Sequence, residues 1–213
     1  LADSITALWH LDFLSLIEQI LVLLGLRKDP HNNFEELKAL FKSFANQPIY
    51  FFLFAKNTFY DRGASIRNFS FRTLVKNISD TNDVSLLVSY DGQEDAKTLF
   101  SERNHLKKLI LKKINRTRFN YGLLSASSGY YSLMEHEIQK DYSMGYLGEI
   151  GYRASTAVPF YFYDLNNDLQ TSLKIHPVVA DEVGLRKFSD NKAFKKLEQL
   201  YENLPTRSAI HGV

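Results

Sequence analysis

The order of apolar and amphipathic stretches along the chain predicts an α/β fold with a mostly parallel sheet. Three observations carry this reading. Short apolar runs alternate with stretches of helical period. The first two runs, Ile49 to Phe54 and Val84 to Ser89, are apolar or aromatic almost throughout, as in strands buried on both faces. The chain has 213 residues, 45% hydrophobic and 23% charged, enough for one sizeable core and one domain over 1–213. A sheet of this kind places functional residues at the carboxyl ends of its strands.

Taken in order, Leu14, Ile17, Leu21 and Leu24 recur at helical spacing and predict a helix over 11–26, closed by Gly25. Asp29-Pro30 marks a turn. Phe34, Leu37, Leu40, Phe41 and Phe44 give a second amphipathic helix, which Pro48 ends before the Ile49-to-Phe54 strand. Phe71, Leu74, Val75 and Ile78 predict a helix over 68–78, followed by the Val84-to-Ser89 strand. A long helix is expected over 94–114, with Leu99, Leu106, Ile110 and Ile114 inside and Lys107, Lys108, Lys112 and Lys113 outside. A third strand is expected over 119–124 and a short helix over 130–138. Further strands are expected over 142–146, 160–165 and 173–178. A final helix over 189–204 would bury Phe194, Leu197 and Leu200.

Composition excludes several classes of function. Lys and Arg total 26 and Asp and Glu 24, a net charge of +2, which gives no reason to expect nucleic acid or an anionic membrane as partner. There is no cysteine, hence no disulfide, cysteine nucleophile or thiolate metal site. The apolar stretch from Leu11 to Leu26 contains Glu18 and Gln19 and is shorter than the roughly 20 residues a bilayer span needs. The first ten residues lack the basic start and cleavage site of a signal peptide. Sixteen Phe and twelve Tyr against one Trp predict many buried or cleft-lining rings.

Motifs of phosphate binding (GxGxxG, GxxxxGK[ST]) and of the serine-hydrolase elbow (GxSxG) do not occur. None of the six histidines, His10, His31, His105, His136, His176 and His211, forms a HExxH pattern or a close pair of metal-binding type. His105 and His136 read as surface or packing residues and His31 as a turn residue. His176 precedes Pro177 at a strand end, where it either packs or lines a cleft; His211 ends a last strand or belongs to a tail. The Glu35-Glu36 and Asp181-Glu182 pairs read as solvated faces. The densest segment runs Asp141-Tyr142-Ser143-Met144-Gly145-Tyr146, Gly151-Tyr152-Arg153-Ala154-Ser155-Thr156, then Pro159-Phe160 and Tyr163-Asp164-Leu165. A buried charge among rings needs a partner, so an Asp141–Arg153 pair is the natural structural reading. Rings that stack on pyranose faces beside Asp, Asn and Arg also suit a sugar.

This segment, with His176-Pro177, resembles the second half of a bacterial group of polysaccharide deacetylase-like proteins, related to carbohydrate esterase family four. There the pattern reads approximately DYTMGY, GFRAGT, PF, YDL, HP. Lys28-Asp29-Pro30, Phe34, Pro48-Ile49-Tyr50-Phe51-Phe52-Leu53 and Ser89-Tyr90 match in order, so the resemblance spans about Leu23 to Val178. It implies a distorted β/α barrel, complete or shortened at its first strand. It also implies a hydrolase acting on a carbon–nitrogen bond, which removes acetyl groups from N-acetylated glycans with a divalent metal, zinc in the usual case. In such an enzyme an Asp base activates metal-bound water, two histidines and an Asp hold the metal, and a late His protonates the leaving amine.

The chain departs from that pattern where the chemistry should sit. The His two residues before Ser-Tyr is Leu87 here, and the later Arg-x-His is Arg118-Phe119-Asn120. Neither Leu nor a neutral amide replaces imidazole well at a transition metal. Trp9-His10-Leu11-Asp12 is the remnant of the early Asp motif, and Ile210-His211 corresponds to the closing Trp-His. The resemblance thus assigns catalytic positions to Asp12 and His211. It assigns glycan contacts to Ser89, Tyr90, Arg118, Asn120, Asp141, Tyr146, Arg153 and His176, and no metal ligand. Two readings follow: a deacetylase-like protein whose metal-dependent activity is lost, or a non-catalytic glycan-binding or assembly module. The compartment, cytoplasm or cell envelope, stays open.

Overall fold

A computed structural model describes residues 17, 20–22, 26–27, 33–42, 47–122 and 128–202. The chain divides into two compact units, 1–48 and 49–213. In the first, residues 17 and 20–22 are helical, and the N–H groups of Leu26 and Arg27 both donate to the Leu21 carbonyl, at 2.9 and 3.2 Å. Helix α1 (Phe34–Phe41) follows, within the span that its apolar spacing predicts. Asp12, Gly25, the Asp29-Pro30 turn, His31, Phe44 and His211 lie outside the described residues.

The second unit is a mixed α/β structure around a six-stranded sheet. Its strands are β1 (Ile49–Leu53), β2 (Asp83–Val88), β3 (Arg116–Phe119), β4 (Lys140–Asp141), β5 (Phe160–Asp164) and β6 (Leu169–Ile175), in the spatial order β1-β2-β3-β4-β6-β5. The first five in that order run parallel; β5 returns antiparallel along β6. Parallel neighbours need crossovers. These contain helices α2 (Phe69–Thr81), α3 (Tyr90–Glu94), α4 (Ala96–Ile110) and α5 (Ser128–Glu135); α6 (Glu182–Arg186) and α7 (Asp190–Glu202) follow β6.

Register divides the sheet into two faces. Leu86 aligns with Phe52 and Thr117, and Val88 with Phe119; this face meets α2 and α4. Val75, Leu86, Val88, Leu99, Leu106 and Thr117 are fully buried there, and the Phe52 ring meets Phe71 of α2 at 6.1 Å. Leu87 aligns with Leu53 and Arg118, and Ser85 with Phe51, on the other face. There the Phe51 ring lies 5.6 Å from Tyr142, just beyond β4, and Tyr142 stacks on His176, just beyond β6, at 4.5 Å. Strands three places apart in a flat sheet are roughly 14 Å apart, and side chains stand perpendicular to the sheet. The sheet therefore curls toward this face.

Several elements differ from their expected extents. The 94–114 helix is interrupted: Asp95 accepts from the N–H groups of Lys97 (3.2 Å) and Thr98 (2.9 Å), so it caps α4 and separates it from α3. At the other end Leu111 adopts a left-handed conformation, and the fully buried Ile114 lies beyond the helix. The third strand is Arg116–Phe119, three residues early, and Asn120–Gly122 is a single 3-10 turn. Residues 142–146 are irregular, the strand there being Lys140–Asp141 alone. β1 is half-buried along its length and pairs with β2 alone among the described strands. In α7 Ala193 is the buried residue while Phe194 is 69% exposed. Among the described residues no helix is long and apolar enough to cross a membrane.

Strand β2 places Leu86 and Val88, both fully buried, in the core of this unit. Leu86→Ala should lower the unfolding free energy by about 3 kcal/mol, whereas Phe194→Ala should change it by less than about 0.5 kcal/mol, both read from urea unfolding.

Candidate functional site

The carboxyl ends of β1, β2 and β3 are fastened by one side chain. Asp61, 1% exposed, lies in the segment between β1 and α2. Its carboxylate accepts the Tyr90 N–H (2.8 Å) just after β2 and the Asn120 amide N–H (2.9 Å) just after β3. The loop that presents Asp61 is clipped on itself. Thr58 N–H donates to the Asp61 carbonyl (2.9 Å), Asp61 N–H donates to Thr58 Oγ1 (3.0 Å), and Gly63 N–H donates to Asn57 Oδ1 (3.2 Å). A buried carboxylate needs such donors, and the last backbone groups of a strand need partners.

Beneath this junction lies a second buried carboxylate. Glu102 of α4, 4% exposed, accepts the Ser89 N–H at 3.2 Å, while Ser89 Oγ accepts the Gly92 N–H at 2.8 Å. A Cβ on Gly92 would sit 3.1 Å from the Glu102 carboxylate, from Ser89 Oγ and from Val88, so any larger residue there would have to push these side chains aside. Burial pushes the Glu102 carboxyl from its ordinary 4.5 up to about 7; the bonds to Ser89 oppose this, and the charges of Asp61 and Asp91 add to it.

The same device recurs across β3 and β4. Asp141 is fully buried; Ser143 donates to it through its N–H (2.9 Å) and its Oγ (2.6 Å), and Ser143 Oγ accepts the Phe119 N–H at 2.8 Å. Burial raises the Asp141 carboxyl to about 6, with the Ser143 bonds and the Arg118 charge opposing it. Ser143 therefore takes the place expected for Arg153, which is exposed in the irregular 151–156 segment. Farther along, Asp181 caps α6 through Gly184 N–H (2.7 Å) and also accepts Gly148 N–H (2.9 Å). Burial pushes the Asp181 carboxyl up, but these bonds and the Arg118 charge outweigh it and hold it below the usual range. Asp181 is thus a structural clamp, not part of a solvated acidic face.

Two adjoining cavities open on these fastened ends. One, of about 140 Å³, is bordered by Leu87, Arg118, Asn120, Tyr142, Tyr146 and Asp181. Gly145 lies at its edge, where a Cβ would meet Val178 at 3.0 Å. The other, of about 470 Å³, is bordered by Phe59, Tyr60, Arg62, Leu87, Asn120 and Tyr121. Leu87, Asn120 and Tyr121 belong to both.

Of the residues expected to contact a glycan, Arg118, Asn120 and Tyr146 border the smaller cavity. Ser89 and Asp141 are buried supports beneath, with their polar atoms committed to neighbouring loops. Tyr90 stacks on Tyr60 at 4.2 Å. His176 is half-buried against Tyr142, its Nε2 without a hydrogen-bond partner among the described residues; burial first, then Lys140, Lys174 and Arg116, holds its pKa below the ordinary value. Arg153 borders neither cavity. His136 is a packing residue, its Nε2 lying 2.9 Å from the Ala96 carbonyl.

Among the described residues, the donors do not fit the divalent metal that the resemblance implies. Position 87 offers a hydrocarbon. The Asn120 amide is committed at both ends, its nitrogen to Asp61 and its oxygen to the Tyr121 N–H at 3.2 Å. Among the described residues no group of three His, Asp or Glu side chains could hold a metal ion.

Two expected outcomes follow from the buried carboxylates. Asp61→Ala leaves the Tyr90 N–H and the Asn120 amide without their acceptor and should cost about 2–4 kcal/mol in urea unfolding. Glu102 binds its proton more tightly folded than unfolded, so its contribution is full below about pH 4.5 and is lost as pH rises through about 7. The loss is about 3 kcal/mol. Glu102→Gln should therefore melt above the parent protein at pH 8 and close to it at pH 5. The Asp141 carboxyl leaves a smaller dependence of the same sign in both proteins.

Compared with protein-family models, with curated proteins and with solved structures, the chain matches none.

Proposed function

We propose that the chain is a polysaccharide deacetylase-like domain that binds an N-acetylated glycan at the carboxyl ends of its strands and does not hydrolyse it. The carrying observation is the chemistry of Leu87 and Asn120. Both border the cleft, and neither offers an imidazole; one is apolar, the other holds Asp61 in place. What surrounds them suits a neutral sugar. Tyr146 and Tyr121 are 48% and 43% exposed, and the Arg118 guanidinium supplies hydrogen-bond donors. A net charge of +2 gives no reason to expect a polyanionic ligand instead.

The curled sheet, with β1 to β4 side by side in chain order, is the wall of a distorted β/α barrel of the deacetylase type in this reading. The β5–β6 hairpin departs from a regular barrel, since β5 runs against its neighbour. Active deacetylation is the competing reading, and it needs a metal that the described donors do not hold.

Calorimetric titration with an N-acetylglucosamine tetramer tests the proposal. Binding should persist unchanged in excess chelator, and Tyr146→Ala should weaken it about tenfold. Incubation with the tetramer should release no acetate. Stoichiometric zinc in the purified protein together with acetate release would sink the proposal, as would absence of binding to any N-acetylated oligomer.

A further inference from the structure

We infer that the cavity beside Phe59, Tyr60 and Arg62 is a second sugar subsite, adjoining the one at Tyr146, so that the cleft holds an oligosaccharide across Leu87 and Asn120. The inference rests on the glycan-binding reading above, and names residues that the sequence pattern did not single out.

Three features carry it. The first is an aromatic platform. Phe59 meets Tyr60 edge-on at 5.2 Å, and Tyr60 stacks on Tyr90 at 4.2 Å with 26° between the planes. One face of Tyr60 is therefore covered by protein, and its position is fixed from behind, yet Tyr60 remains 49% and Phe59 80% exposed. Single exposed rings are ordinary; a fixed group of them bordering a cavity is not. The second is backbone strain at Tyr121, which carries φ 60° and ψ 5°. A bulky residue rarely adopts this conformation, and it is held here by the Tyr121 hydroxyl, which donates to the Tyr60 carbonyl, and by Asn120. The strain aims a third ring at the shared boundary of both cavities.

The third feature is repetition. Each cavity pairs exposed tyrosine with a polar group, Tyr146 with Arg118 in one and Tyr60 with Arg62 in the other, and the two share Leu87, Asn120 and Tyr121. A ligand with a repeating unit matches two adjoining cavities of like chemistry. Pyranose rings stack on such faces through their apolar C–H surface while their hydroxyls reach the polar groups at the edge. The larger cavity, about 470 Å³, falls within the range of small-ligand sites.

Phe59 and Arg62 border only this second cavity and are exposed, so truncating either leaves the fold intact. Phe59→Ala and Arg62→Ala are titrated with the N-acetylglucosamine tetramer, beside Tyr146→Ala and the parent protein. The inference expects Phe59→Ala to bind the tetramer about tenfold more weakly and Arg62→Ala to weaken it as well. Parent-like affinity, within about twofold, in both variants while Tyr146→Ala is weakened overturns the second subsite and leaves the glycan reading standing. Failure of the parent protein to bind the tetramer overturns both.

Discussion

The site depends on a single carboxylate. Parallel strands end abreast, and the segments that leave them diverge toward different helices. Asp61 draws three of these segments together by accepting from the backbone after β2 and the side chain after β3, while its own loop is clipped by Thr58. A charge that buried would be costly alone. Here the donors it needs are the groups that the strand ends leave over, so burial and loop positioning are satisfied by the same bonds.

The pattern repeats with different residues. Asp141 and Ser143 join the end of β3 to the segment after β4, and Asp181 joins α6 to Gly148. Each gathers backbone N–H groups, whose bonds to an ionised carboxylate are stronger than bonds between neutral partners. Glu102 is less well supplied and more strained electrostatically, since Asp61 and Asp91 stand near it and its resolved donors all come from Ser89. At the Ser89 turn, as at Asp141, protonation within a pH unit or so of neutrality changes how a strand end is held. Above it, Leu87 and Asn120 separate two cavities without contributing to a metal site.

Much of the fold was legible because period decides it. The Val84-to-Ser89 run and the 68–78 stripe have the apolar patterning of a buried strand and an amphipathic helix, and both elements stand within a few residues of their expected bounds. β3 was misplaced because its inward residues, Thr117 and Phe119, alternate with two arginines, so the apolar stretch beginning at Phe119 drew the strand onward. The break at Asp95 was missed because a capping carboxylate inside an amphipathic stretch reads as a surface charge. Within the site, the aromatic segment around Tyr142 and Tyr146 was visible as composition. Asp61 was not: an acidic residue between Tyr60 and Arg62 has no local sign that it will be buried, and its partners lie 29 and 59 residues away. Asp141 was seen but given Arg153 as partner, since charge pairing is readable at a distance and a serine two residues on is not.

The long reach of the Asp61 bonds has a consequence for folding. Loop closure over such separations is unfavourable until the intervening strands are aligned. Asp61 therefore meets Asn120 only when β1, β2 and β3 are already in register, and a half-assembled sheet has no cleft. A ligand seated there contacts the assembled state alone, so its binding free energy is added to the cooperative stability of all three strands and not to one loop.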